Sequence, residues 1–244
     1  TLPGIWLAGL LALAVPMLLA WLASSQIRRA VETGQLGALY DSSTTDSGFT
    51  SLTVAQVGFV VLGVLSVSSE YVRNTQAVGR GRQLTTSMVA IPGGARRMVA
   101  KITVLLGFAT VLAVAATAGT LAVARWALGG VEATWGNPWP RVAGAVFFLV
   151  TMTVIAAALA ELVRGGTLPL MLLVINSSAV SFSFLLSKVT PLARYAPDLA
   201  LAHTFLTDTA IQDPLSPGAG MLVGAAWGVA AIILAVLLHA RKEA

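Results

Sequence analysis

The sequence predicts an all-α integral membrane protein with six transmembrane helices, and three observations carry that prediction. Of 244 residues, 57% are hydrophobic and only 10% are charged, against about 25% charged in ordinary soluble domains. A soluble fold could not cover itself with so few charges. The apolar residues gather into runs of about 20, the length that crosses a hydrocarbon core of about 30 Å as a helix. These runs are continuous and do not alternate with polar residues, so they read as helices and not as the strands of a barrel.

The spans are expected at about 5–23, 50–70, 102–124, 142–162, 167–187 and 219–238, within one domain covering 1–244. The stretch Thr1–Ile27 carries no charged side chain. It lacks the basic start of a signal peptide and its apolar run is longer, so it reads as a first span. Pro16, Gly63 and Pro169 fall inside spans, where membrane helices tolerate them. The segment after span 1 is rich in Ser, Thr, Gly and Asp. Between spans 3 and 4 lies a short turn whose Trp135 and Trp139 suit the interfacial aromatic belt. Arg164-Gly165-Gly166 reads as a tight turn. The segment 189–217 holds Pro191, Pro197, Pro214 and Pro217, yet Asp198–Ile211 reads as a helix with a partly apolar face that lies on, or dips into, the outer leaflet. No internal repeat is visible, which disfavours an inverted-repeat transporter.

Charge sets the orientation. The stretch Ser68–Lys101 contains Arg73, Arg80, Arg82, Arg96, Arg97 and Lys101, with Glu70 its only acid. Lys and Arg are retained on the cytoplasmic side, so the loop 71–99 is expected inside. Arg164, Arg241 and Lys242 then also fall inside, while Arg28, Arg29, Arg125, Arg141, Lys188 and Arg194 fall outside. Both termini are thereby expected in the cytoplasm. The formal net charge of +5 is explained by this orientation, with no need for a nucleic-acid partner. Arg96, Arg97 and Lys101 also read as anchors for membrane lipid phosphates.

The basic loop is the candidate docking element for a cytoplasmic partner. Gln83–Ile91 has no Gly or Pro, and Pro92-Gly93-Gly94 then stops it. Its Leu84, Met88 and Ile91 recur at helical spacing and could insert into a groove on a partner; the alternative is that this face rests on lipid headgroups. Glu70, at the inner end of span 2, reads as an anchor for the loop, paired with Arg73, or as an interfacial charge in water. In span 5, Asn176, Ser177, Ser181, Ser183 and Ser187 make the most polar helix, and Gln56 is the lone amide of span 2. Gln56, Asn176, Ser177 and Ser181 could line a pathway, or could make helix–helix hydrogen bonds worth about 0.6 kcal/mol each.

Other chemistries find little support. There are no cysteines, which removes disulfides and thiolate sites. His203 and His239 have no second His or carboxylate at ligand spacing in sequence, so no metal is expected. A phosphate-cradling loop needs Gly before Lys and Ser or Thr after it; Lys101, Lys188 and Lys242 are the only lysines and none has either neighbour. A membrane-embedded enzyme would require clustered acid, His or Ser–Lys groups within the spans, and none is evident. A passive channel or structural membrane subunit is the competing reading, and it predicts that the 71–99 loop is dispensable.

The loop carries a family likeness. Ser69-Glu70-Tyr71 at the end of a span, Leu84-Thr85-Thr86-Ser87 in a basic segment, Pro92, Arg96-Arg97, and Ala100-Lys101 opening the next span resemble the permease subunits of ABC transporters of the ABC-2 type, the exporter class. The resemblance implies a coupling helix between spans 2 and 3, and a re-entrant or interfacial helical hairpin between spans 5 and 6. It implies a site for ATPase docking built from Glu70, Arg73, Leu84, Thr85, Met88, Ile91, Pro92, Arg96 and Arg97. It further implies a translocation pathway formed with a second permease copy, as a homo- or heterodimer. Separate cytoplasmic ATPase subunits would bind ATP and Mg, so that this chain is itself no enzyme. The nearly chargeless spans favour a drug, peptide or lipid-like cargo.

Overall fold

The computed structural model describes residues 3–34, 44–69, 71, 94–176, 181–208 and 213–240. Among these residues the regular structure is entirely helical. The helices are α1 (Pro3–Thr33), α2 (Phe49–Ser68), α3 (Gly94–Leu128), α4 (Pro138–Val163), α5 (Thr167–Asn176), α6 (Phe182–Ser187), a 3-10 turn (Pro191–Tyr195), α7 (Pro197–Ala202) and α8 (Pro217–Ala240). Five of them, α1, α2, α3, α4 and α8, are long and apolar enough to cross a membrane.

The bundle is built around α2 and α4, which pack most extensively on each other and are its most buried spans. Helices α1, α3 and α8 surround them and turn broad apolar faces outward: Trp6, Val104, Val111 and Leu222 are each about 70% exposed (67%, 72%, 71% and 75%). Such faces suit lipid, where no water penalises them. The inner pair meets through small residues. A Cβ placed on Gly63 of α2 would fall well inside contact distance of the Thr153 carbonyl oxygen of α4, so only glycine permits this approach of two backbones.

Several boundaries differ from the sequence expectation. Helix α1 continues to Thr33, so Arg28 and Arg29 lie on the helix and not in the following loop. Helix α3 begins at Gly94, so Arg96, Arg97 and Lys101 occupy its first two turns and are not loop residues. At 35 residues α3 is about 50 Å long by helical rise and projects beyond a bilayer core. The turn at Arg164 is as tight as expected: Arg164 adopts a left-handed φ of 55°, and Gly165 donates to Ala160 O at 3.3 Å.

The largest departure is the expected span 167–187. Helix α5 is described as far as Asn176, residues 177–180 lie outside the described residues, and a separate helix, α6, starts at Phe182 with Ser181 as its extended N-cap. The expected span is therefore not one continuous helix, because Ser181 is extended. The break coincides with Asn and Ser side chains that bond to nearby backbone and so compete with a continuing helix. Ser181 accepts from Phe184 N at 3.0 Å, and Asn176 Oδ1 accepts from Ser183 N at 3.2 Å.

The outer segment is a second correction. The helix expected over 198–211 spans only Pro197–Ala202, and residues 203–208 form turns. Their backbone groups find tertiary partners, described below, in place of a helical ladder. The expected coupling helix, 83–91, lies outside the described residues.

Candidate functional site

At one end of the bundle α2, α4 and α8 end and α3 begins. Glu161 sits in the last turn of α4 and its side chain is fully buried. An ionised carboxylate buried there requires donors, and two distant segments supply them. Tyr71, just past the end of α2, donates its hydroxyl to Glu161 Oε2 at 2.7 Å. His239, in the last turn of α8, places Nδ1 2.9 Å from Glu161 Oε1. Tyr71 is itself held to the end of α2 by its backbone N–H, which donates to Ser68 O at 3.0 Å. Three helix ends are thus joined through one carboxyl group. Tyr71 also stands immediately before the basic segment 72–93 in the sequence.

The opposite end is closed by a second network. Arg141, on the first turn of α4, donates from Nε to Phe205 O at 2.7 Å and from Nη1 to Thr45 O at 2.8 Å. Its Nη2 pairs with Asp46 Oδ1, and its guanidinium lies 3.9 Å from the centre of the Phe49 ring. Asp46 also accepts from Thr207 N at 3.1 Å, Thr207 Oγ1 at 2.7 Å and Asp208 N at 2.9 Å. The planar fork of Arg is suited to such divided contacts. These bonds engage Phe205 O, Thr207 N and Asp208 N, while Phe205 N and Leu206 N turn back to Ala202 O. They also draw the segment inward: Gly144 lies so near that a Cβ would stand 2.6 Å from Thr204 O.

Between the two ends, the broken fifth element carries a third polar cluster. Asn176 Nδ2 donates to Asp198 Oδ2 at 2.9 Å, and Ser183 Oγ lies 3.2 Å from Asn176 Oδ1. Asp198 is 8% exposed. Burial raises its carboxyl pKa above the ordinary value of 3.8, opposed by hydrogen bonds from Ser183, Asn176 and nearby backbone. His203, just beyond α7, is shifted the other way, its imidazole pKa lowered by burial.

Of the residues expected to carry function, Glu70, Arg73, Leu84, Thr85, Met88, Ile91, Pro92 and Ser177 lie outside the described residues. Arg96 and Arg97 stand on the first turn of α3. Gln56 is buried in α2 at 3% exposure, with no hydrogen-bond partner for its Nε2 among the described residues. Asn176 and Ser181 are not on one helix face: Asn176 ends α5 and Ser181 caps α6. Trp135 packs edge-on against Phe49 at 6.0 Å, inside the second network and not on a lipid belt, whereas Trp139 is 75% exposed.

Sequence reasoning missed the pairing of Glu161 with His239. The only signal was that both fall at the same end of their spans, and a separation of 78 positions gave no spacing rule to apply. Chemically the cluster is a relay of hydrogen bonds without a nucleophile, and no group of three metal-ligating side chains occurs among the described residues. No protein-family model, curated protein or solved structure matches the chain.

Proposed function

We propose that this chain is the permease subunit of an ATP-driven exporter of the ABC-2 type, working as a dimer of permeases with separate cytoplasmic ATPase subunits. The observation that carries the reading is the Tyr71–Glu161–His239 junction. A force applied to the segment 72–93 would pass through Tyr71, which precedes it, to Glu161 of α4 and through His239 to α8. Buried polar networks with all members bonded transmit such displacement because they are costly to break. In this reading α5 and α6 together make the remaining crossing, and residues 189–208 belong to the re-entrant or interfacial hairpin. The loop end faces the cytoplasm, ATP and Mg are bound by the partner ATPase, and the cargo is a drug, peptide or lipid-like molecule.

The test is isolation of the chain from its membrane in mild detergent, with identification of co-purifying proteins, repeated with Leu84, Met88 and Ile91 changed to Asp. An ATPase that accompanies the native chain and is lost from the variant supports the reading. If the native chain brings no ATPase, the passive channel or structural subunit takes its place. A second assay separates docking from coupling: Tyr71→Phe should leave the ATPase bound but lower cargo-stimulated ATP hydrolysis.

A further inference from the structure

Asp198 is a buried carboxyl that the Tyr71–Glu161–His239 junction does not use. Asn176 donates to its Oδ2 at 2.9 Å. Its Oδ1 is shut away from solvent, with no hydrogen-bond partner among the described residues. A buried carboxylate needs donors on both oxygens, and the closed surroundings of Oδ1 leave no room for a water or a metal cation to supply one. A proton needs no such room. We propose that Asp198 is a proton-binding site, and that the bound proton keeps α6 docked against α7.

No neighbouring charge takes the proton's place. Helix α7 is contacted by α4, α6, α8 and the 3-10 turn, and through Asn176 by α5. Helix α5 has no titratable side chain. Helix α6 ends at Lys188, whose ammonium lies 4.8 Å from the centre of the Phe184 ring. The 3-10 turn carries Arg194 and Tyr195, which meet each other at 3.4 Å. On α4, Arg141 is engaged with Asp46 and Glu161 with His239 of α8. His203 follows α7 on the same segment. Among the described residues none of these cations forms an ion pair with Asp198. Only hydrogen bonds oppose the effect of burial on its carboxyl.

Helix α6 is the wall that can give way. It contains no buried residue, so apolar packing does little to hold it. Its tie is Ser183, whose N–H and hydroxyl both meet Asn176 Oδ1 at 3.2 Å. Asn176 thereby bridges α6 to the carboxyl of α7. Helix α7 is fixed by comparison: a Cβ on Gly220 of α8 would collide with Ala200 O, and one on Gly224 with the Leu201 side chain. Loss of the proton leaves a buried charge that water must reach, and displacement of α6 admits it. The docked form therefore binds the proton more tightly than the released form. Docking is complete at low pH and is lost as pH rises through the docked-state pKa. The site requires neither an ATPase nor a cargo, so it stands apart from the permease reading.

The chain has no cysteine, so Leu185→Cys on α6 and Leu222→Cys on α8, both at exposed positions, can carry a pair of nitroxide labels. Their separation is measured in lipid nanodiscs by pulsed electron resonance from about pH 4 to about pH 9, the range open to buried carboxyls. The expected result is one distance at acid pH and a second, longer one that grows as pH rises. The ratio of the two should change by about tenfold per pH unit, the slope for a single proton. Asp198→Asn is neutral at every pH and should hold the short distance throughout, while His203→Gln should keep the native response. Infrared difference spectra should show a carboxylic-acid carbonyl band at acid pH that Asp198→Asn lacks. A native distance that ignores pH would overturn the proposal, as would a response that survives Asp198→Asn, one that is lost in His203→Gln, or one that appears without the carbonyl band.

Discussion

Gly63 of α2 lies directly against the Thr153 carbonyl of α4, leaving no room for a Cβ between the two most buried spans. The packing partner is backbone and cannot rotate away. Gly63→Ala should therefore force the helices apart and cost about 3 kcal/mol, the upper range for overpacking a close-fitted core. Gly107→Ala is the control, since nothing lies within 4 Å of its Cβ position. The control should be neutral or slightly stabilising through helix propensity. Thermal unfolding of both variants in detergent decides the matter, and equal Tm values would refute the close contact.

Glu161 should respond asymmetrically to its two partners. Tyr71→Phe removes one donor and leaves the carboxylate with His239, a loss of about 1–2 kcal/mol. Glu161→Ala strands both Tyr71 and His239, and should cost about 1–3 kcal/mol for each buried polar group left without its partner. A double-mutant cycle over Tyr71 and His239 should give a coupling energy of at least about 0.5 kcal/mol, because the two share one acceptor. Strict additivity would show that they do not act through Glu161.

Arg141→Lys keeps the charge but cannot reach Asp46, Thr45 O and Phe205 O together. The variant should loosen the segment 203–208 selectively. Hydrogen exchange at Thr207 and Asp208, whose amides bond to Asp46, should accelerate by at least about tenfold, while amides in the middle of α4 remain protected. Uniform acceleration would instead mean that the whole bundle had been destabilised.

The carboxyl of Asp198 gives a pH dependence with a definite sign. Its folded pKa is raised above 3.8, chiefly by burial. Stability from this group is therefore complete below the unfolded pKa and is lost as pH rises through the folded value. Acidification from neutral pH should stabilise the segment until the carboxyl is protonated. Asp198→Asn keeps an acceptor for Asn176, and should abolish this dependence while matching or exceeding the native stability at pH 7. Stability scans from pH 3.5 to 7 on both proteins check it; an unchanged slope in the variant would exclude Asp198 as its source.

What the sequence disclosed and what it hid divide along physical lines. Long apolar runs declare themselves because hydrophobic length is a local property, so α1, α2, α3, α4 and α8 are legible from residue order alone. The turn at Arg164 is legible for the same reason, since two glycines follow it. The stretch 167–187 is apolar enough to read as one span, yet Ser181 adopts extended backbone and starts a new helix as its N-cap. The helix expected over 198–211 has a good periodic face, but Arg141 and Asp46 claim the backbone of 205–208. Its length was decided by residues that lie 64 to 162 positions away. Glu161 and His239 were both visible as polar residues at span ends; only the parallel packing of α4 and α8 makes them partners.

The wide separation of these partners bears on how the chain is made. Asp46 is synthesised early, but Asp208, the last group that bonds to it, follows 162 residues later. At about 5–20 residues per second the carboxylate waits roughly 8 to 30 s for its complete shell. His239 likewise reaches Glu161 only when the final helix has emerged. The two ends of the bundle are therefore sealed in order, the Asp46 end once residue 208 has been made and the Glu161 end only with residue 239.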